Sequence, residues 1–121
     1  MADPDPRCVL DMSVVESLRA LEEEGRASLF GELVELFVAD ARQQVRALEA
    51  ALSGGDVRSL ERSAHTLKSS SASLGATQMS ALCFELERLG RAGSLEGAAD
   101  LVREVSKAYR EACEALESLR P

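Results

Sequence analysis

Apolar residues recur at steps of three and four along most of this chain, a spacing typical of amphipathic α-helices. The pattern divides into one short stretch of about 12 residues and four longer ones. Each boundary carries glycines or residues that favour helix caps. The predicted N-caps are Asp11, Asp56, Thr77 and Ser94, and the predicted stops are Gly25, Gly54-Gly55, Gly75, and Gly90 with Gly93. The second helix, for example, is predicted from about Ser28 to Ser53.

The apolar stripe of each stretch marks the face that we expect to be buried. The stripes run through Val14, Val15, Leu18 and Leu21; Leu29, Leu33, Leu36, Phe37, Ala41, Val45, Leu48 and Leu52; Val57, Leu60, Ala64, Leu67, Ser71 and Leu74; Met79, Leu82, Cys83, Leu86 and Leu89; and Leu95, Ala98, Val102, Val105, Tyr109, Ala112, Leu116 and Leu119.

These stripes predict an all-α fold. The prolines are all terminal, so none interrupts a helix, and the short connections favour antiparallel neighbours. The prediction is an antiparallel up-down-up-down four-helix bundle with a short additional N-terminal helix that covers one end. Residues 1–10 are expected to form a flexible N-terminal segment, and residues 11–120 the bundle domain.

Composition narrows the classes of partner. The 121 residues suit one domain, and the net charge of −7 disfavours binding to nucleic acid or to an anionic membrane surface. No apolar run approaches the ~20 residues that span a bilayer, so membrane insertion is not expected. The bundle is expected to be a monomer.

The three cysteines, Cys8, Cys83 and Cys113, are odd in number and lack CxxC spacing, which favours free thiols over disulfides or a zinc site. The acidic, proline-containing start is unlike a secretory signal. Together these features predict a cytoplasmic location. The chain also lacks a Gly-rich phosphate loop and a clustered ligand set, so no intrinsic cofactor or metal is expected.

The only histidine, His65, falls in the third predicted helix, about 100° around from the core position Ala64. It should therefore be exposed, with Glu61, Lys68 and Ser69 as its neighbours on the helix. Neutral imidazole is a nucleophile, and Lys68 would supply a cation for a transferred phosphoryl group. From these residues alone, His65 is either an ordinary surface residue or a reactive one. The surrounding serines, which are mediocre helix formers, favour a functional surface.

The run His65-Thr66-Leu67-Lys68-Ser69-Ser70-Ser71, followed by Gly75-Ala76, resembles the motif of the histidine-containing phosphotransfer (HPt) domain family, His-x-Leu-Lys-Gly-Ser-Ser. The resemblance extends over most of the chain and includes 36–38 before the motif and 83–91 after it. The family's usual glycine after the lysine is replaced here by Ser69, a small residue that should still permit docking.

The resemblance implies a role for each residue of the motif. His65 would carry the phosphoryl group on Nε2, and Lys68 would assist at that group. Glu87, on the next helix, would orient the imidazole by accepting from Nδ1–H, although it could equally be an ordinary exposed acid. Ser69, Ala72 and Arg91 would contribute to docking, although Arg91, like Arg88, could equally be a solvated charge.

The implied partners are receiver domains of response regulators or of a hybrid histidine kinase. The chain would accept a phosphoryl group from a receiver aspartate and pass it on, without ATP-dependent kinase activity of its own. The Mg²⁺ that such transfer requires would be supplied by the receiver.

Two other functions are weighed against this one. A bundle that only binds a kinase or receiver is disfavoured because both His65 and Lys68 are present. The dimerisation helices of a histidine kinase are disfavoured because Thr66, not an acidic residue, follows the histidine and no proline comes soon after.

Overall fold

The computed structural model describes residues 9–23 and 28–120. Within these ranges the chain is all-helical and forms five α-helices. Their bounds are α1 Met12–Glu23, α2 Leu29–Gly54, α3 Val57–Ser73, α4 Thr77–Arg91 and α5 Ala98–Ser118. Cys8, Gly25 and the first eight residues of the predicted flexible segment lie outside the described residues. The last two residues of that segment, Val9 and Leu10, are buried in the core.

Several helix ends follow from the predicted cap residues. The Asp11 carboxylate accepts from the Ser13 backbone N–H at 3.0 Å, and the Asp56 carboxylate accepts from Ser59 at 3.1 Å. Gly75, at φ 81°, ends α3, where the Ala76 N–H bonds to the Ser71 carbonyl. The left-handed conformation of this glycine lets the chain turn directly into α4.

Two predicted N-caps are wrong. Thr77 is the first residue of α4, because the turn through Leu74, Gly75 and Ala76 places Ala76 at the N-cap position. Ser94 instead accepts from the Glu96 N–H at 3.1 Å, and α5 begins after Gly97, which has φ 79°. A turn between these residues, closed by the Ala98 N–H on the Leu95 carbonyl, delays the helix.

The helices pack in a closed cycle of neighbours. α3 lies between α2 and α4, α5 contacts both α4 and α2, and α1 packs on α2. The core is built mainly of Leu, Val and Ala. Its largest fully buried side chains are Phe30, Leu48, Leu60, Leu67, Met79, Leu86 and Leu116. Every helix in the described part of the chain is too short or too polar to span a bilayer.

Two leucines predicted to face the core are exposed: Leu21, at 39%, and Leu36, at 59%. The buried stripe of α2 passes through Val34 and Phe37. Leu36 is two residues beyond Val34, about 200° around the helix axis, so it points away from that stripe. Its exposure therefore follows from the helical geometry once Val34 fixes the buried face.

α3 and α4 approach each other closely at Gly90. A Cβ atom placed on Gly90 would lie 2.8 Å from the Cβ of Glu61 and 3.0 Å from its Cα. Only glycine permits this spacing between the helices. Glu61 is one turn before His65, and Gly90 is one turn after Glu87, so the same contact draws His65 and Glu87 together.

Candidate functional site

His65 projects from α3 with its side chain 62% exposed, and its Nδ1 lies 2.5 Å from Oε2 of Glu87 on α4. Glu87 is only 3% exposed. A carboxylate can only accept, so this contact holds the hydrogen of a neutral imidazole on Nδ1. Nε2 then keeps its lone pair, which is the form of the ring that can act as a nucleophile.

Lys68 contacts the other oxygen of the same carboxylate. Its Nζ donates to Oε1 of Glu87 at 2.6 Å. The pKa of Glu87 lies below its ordinary value, chiefly because of this hydrogen bond. Burial acts in the opposite direction, and the His65 hydrogen bond adds to the lowering. Glu87 is therefore an ionised, buried carboxylate that holds both His65 and Lys68.

Lys68 is also held by two groups of α4 that sequence reasoning did not identify. Its ammonium lies 5.5 Å from the ring centroid of Phe84, and Ser80 Oγ donates to the Lys68 carbonyl oxygen at 2.9 Å. The sequence gives one indication of the Phe84 contact: Phe84 lies three residues before Glu87 and outside the apolar stripe of its helix.

Arg91 extends the cluster toward solvent. Its Nη2 lies 3.3 Å from Glu87 Oε2, and its Nε lies 3.5 Å from Glu61 Oε2. The Arg91 side chain is 66% exposed, so each pair contributes little to stability. Two carboxylates and two cations thus surround the imidazole, and Arg91 remains accessible to a partner.

The predicted docking positions beside His65 are open. Ser69 and Ala72 are both exposed on α3. The nearby hydroxyls of Ser70 and Ser73 donate to the carbonyls of Thr66 and Ser69 in their own helix, at 2.7 and 2.9 Å. Because these residues are small and their hydroxyls bond to their own helix, they leave the imidazole accessible to a partner.

A groove of about 370 Å³ lies between α2 and α3 on the side of Thr66 and Ser70. Its lining is mixed, and it includes the exposed Leu36 as well as Asp40. Phe84, 46% exposed, lies on the α4 side of His65. Each helix that neighbours α3 therefore carries an exposed apolar side chain, Leu36 on α2 and Phe84 on α4.

The thiols lie apart from this cluster. Burial raises the pKa of Cys83 to about 12, so it is not a nucleophile near neutral pH. Cys113 is partly buried, and neither forms a disulfide. Across residues 9–23 and 28–120, no three His, Cys, Asp or Glu side chains are grouped so that they could hold a metal ion.

A family model described as the Hpt domain matches residues 32–119. The chain belongs to the Hpt domain family. The Hpt domain fold is also seen in the crystal structure of histidine-containing phosphotransfer protein B (HptB) from Pseudomonas aeruginosa PAO1. The two chains are 30% identical, with a TM-score of 0.83 over 91% of this chain and 92% of that one. No curated protein matched. The function is histidine phosphotransfer in phosphorelay signalling.

The buried Glu87 of this Hpt domain predicts a pH-dependent stability. Replacing it (Glu87→Gln) should destabilise the domain by about 1–2 kcal/mol at pH 7, because one amide oxygen cannot serve both Lys68 and His65. The pKa of Glu87 is lowered, so its contribution is present above the ordinary value of 4.5 and is lost as pH falls through the lowered pKa. Urea unfolding of both proteins at pH 7 and in steps below pH 4.5 measures this difference.

Glu85 provides the matched control for that measurement. Its carboxylate is 51% exposed and lies 3.3 Å from Arg88 in an i,i+3 pair. The Glu85→Gln variant should change stability by less than about 0.5 kcal/mol. A Glu87→Gln deficit that stays constant with pH would show that the carboxylate's charge is not what stabilises the domain.

Proposed function

We propose that His65 is the phosphoryl-carrying residue of this Hpt domain and that Glu87 is its positioning residue. The observation that carries the proposal is the 2.5 Å contact from Nδ1 of an exposed imidazole to a buried carboxylate. It fixes the tautomer in which Nε2 is unprotonated, and the ring stands where a receiver can reach it.

The step itself is an attack by the Nε2 lone pair on the phosphorus of a receiver's aspartyl phosphate. The Nε2–P bond forms, the P–O bond to the aspartate breaks, and the carboxylate leaves with that electron pair. Nδ1 keeps its hydrogen, and Glu87 stabilises the positive charge that develops on the ring. Attack by a second receiver's aspartate on the same phosphorus reverses these changes and regenerates His65.

Lys68 and Arg91 are proposed to stabilise the transferred group. The Lys68 ammonium is bonded to Glu87 at 2.6 Å and is 28% exposed, so its remaining hydrogens can reach a phosphoryl oxygen nearby. Arg91 shares Oε2 of Glu87 with His65 and is more exposed. We propose that Arg91 faces the receiver together with Ser69 and Ala72.

We further propose that the protein is a carrier with no independent kinase activity. The phosphoryl group and the Mg²⁺ for its transfer would both come with the receiver, whose acidic site would hold the metal. The receiver would belong to a response regulator or a hybrid kinase. The proposal also includes a cytoplasmic location, which the free thiols of Cys83 and Cys113 support, and a monomeric state.

The arrangement of the helices is proposed to be an antiparallel up-down-up-down bundle of α2 to α5, with α1 as the additional N-terminal helix. Two observations support it: the contacts among these four helices form a closed cycle, and the turns that join successive helices are short. In such a bundle α3 lies between α2 and α4, so one helix lies on each side of His65.

The groove beside Leu36 is proposed to receive an apolar side chain of the receiver. Replacing this leucine (Leu36→Ser) should weaken receiver binding about tenfold, because a side chain exposed in the free protein would no longer be buried in the complex. Affinity is measured by titration calorimetry with an unphosphorylated receiver.

The control for that experiment is Leu21→Ser, which removes another exposed leucine from α1, away from the groove. Both variants should unfold at nearly the wild-type denaturant midpoint. If the two variants bind the receiver with equal affinity, the groove is not part of the docking surface.

The proposed function is tested by incubating the protein with a phosphorylated receiver and Mg²⁺. Transfer of label to this chain, in an acid-labile and base-stable linkage, is the expected result. If several receivers bind but none transfers label, the chain acts as an interaction module and the phosphocarrier proposal fails.

A further inference from the structure

Phe84 stands out because it is a large aromatic side chain that remains 46% exposed beside the reactive cluster. It lies three residues before Glu87 on α4, so the two side chains share a face of the helix. Burial of the ring in the core does not explain its presence, since the buried positions of α4 are Met79, Cys83, Leu86, Glu87 and Gly90.

The contact that Phe84 makes is with Lys68. The ammonium lies 5.5 Å from the ring centroid, within the range of a cation–π interaction. The same ammonium donates to Glu87 at 2.6 Å. Phe84 and Glu87, one turn apart on α4, therefore contact the Lys68 ammonium from two sides, with an aromatic face and a carboxylate. Together they restrain the end of a flexible side chain.

We propose that Phe84 is a positioning residue for Lys68 and that it links receiver docking to phosphoryl transfer. The inference rests on the proposed function, in which a receiver docks over His65. Docking on this face covers the exposed part of the Phe84 ring and removes water from the Lys68 contact. Cation–π attraction strengthens on desolvation, so Lys68 is held most firmly when the partner is in place.

Two substitutions separate this role from simple apolar contact. Leucine (Phe84→Leu) keeps apolar surface for docking and removes the π-face. Tyrosine (Phe84→Tyr) keeps the π-face and serves as the conservative rescue. At saturating receiver, the leucine variant should transfer phosphoryl about fivefold or more slowly, with receiver affinity within about twofold of wild type. The tyrosine variant should transfer the phosphoryl group at about the wild-type rate.

A double-mutant cycle identifies the group through which Phe84 acts. In a Lys68→Met background, Phe84→Leu should slow transfer no further. If it slows transfer equally in both backgrounds, or if it lowers only receiver affinity and leaves the saturated rate unchanged, the proposal is overturned.

A readout that needs no transfer keeps this test distinct from that of the carrier function. The mobility of the Lys68 side chain, measured by NMR relaxation at its ε-carbon in the free protein, should rise in Phe84→Leu and not in Phe84→Tyr. Unchanged mobility in both variants would overturn the positioning role. If wild type accepts no phosphoryl group, the carrier function fails, and the mobility result still decides whether Phe84 restrains Lys68.

Discussion

Replacement of His65 by glutamine should reduce phosphoryl transfer from a phosphorylated receiver to the level seen without protein. The chain contains one histidine, so the substitution removes its only imidazole. The glutamine side chain can donate to Glu87 in place of Nδ1, which keeps the buried carboxylate paired. The variant therefore loses the nucleophile and should keep the fold. Transfer of radiolabel from the receiver, followed over time with both proteins, measures the effect.

Two controls make the loss interpretable. Circular dichroism and urea unfolding of His65→Gln should match wild type closely, and receiver affinity should be retained. Label that still appears on the variant, especially in an acid-stable linkage to a serine, would contradict the assignment of His65.

The second large effect is expected at Gly90. Gly90→Ala should destabilise the domain by about 1–3 kcal/mol, since the added methyl would lie 2.8 Å from the Glu61 Cβ and 3.0 Å from backbone atoms that cannot yield locally. Separation of α3 from α4 would also lengthen the His65–Glu87 contact. We therefore expect slower phosphoryl transfer as well as a lower midpoint in urea unfolding.

Gly54 offers a matched control for this substitution. It is the last residue of α2, and no atom lies within 4 Å of an added Cβ. At such a site alanine is expected to be neutral or to stabilise by up to about 1 kcal/mol, because it reduces the freedom of the unfolded chain. Gly54→Ala should therefore not destabilise the domain, whereas Gly90→Ala should. A neutral Gly90→Ala would show that the close approach does not hold the two helices together.

Much of the helical structure could be predicted from the sequence because its determinants are local. The carboxylates of Asp11 and Asp56 reach N–H groups two or three residues away, and Gly75 supplies the left-handed conformation that ends α3. Thr77 and Ser94 show the limit of this reasoning. Each can cap a helix, but the preceding turn decides where the next helix begins.

The buried faces were less predictable where an apolar residue borders the stripe. Leu36 adjoins Phe37 in sequence, and apolar spacing alone placed both inside. Val34 and Phe30, which were not assigned to the core, define the true direction of burial. Tertiary packing therefore selects one of several stripes that share residues.

The candidate site, too, could be predicted only in part from the sequence. The exposure of His65 followed from its position relative to Ala64, and its neighbour Lys68 followed from helical spacing. The separation between Nδ1 and Glu87 depends on how closely α3 approaches α4, which is set at Gly90 by contacts between distant residues. The contact of Lys68 with Phe84 depends on the same approach and was not predicted.

In the phosphorylated protein, the phosphoryl group is expected on Nε2 of His65, with Nδ1 still bonded to Glu87. NMR of the phosphorylated, ¹⁵N-histidine-labelled protein tests it directly through the coupling between ³¹P and the ring nitrogens. Coupling to Nε2 and a retained hydrogen on Nδ1 are the expected result. Phosphorus coupled to Nδ1, or a phosphorylated protein with no phosphorus–nitrogen coupling, would contradict it.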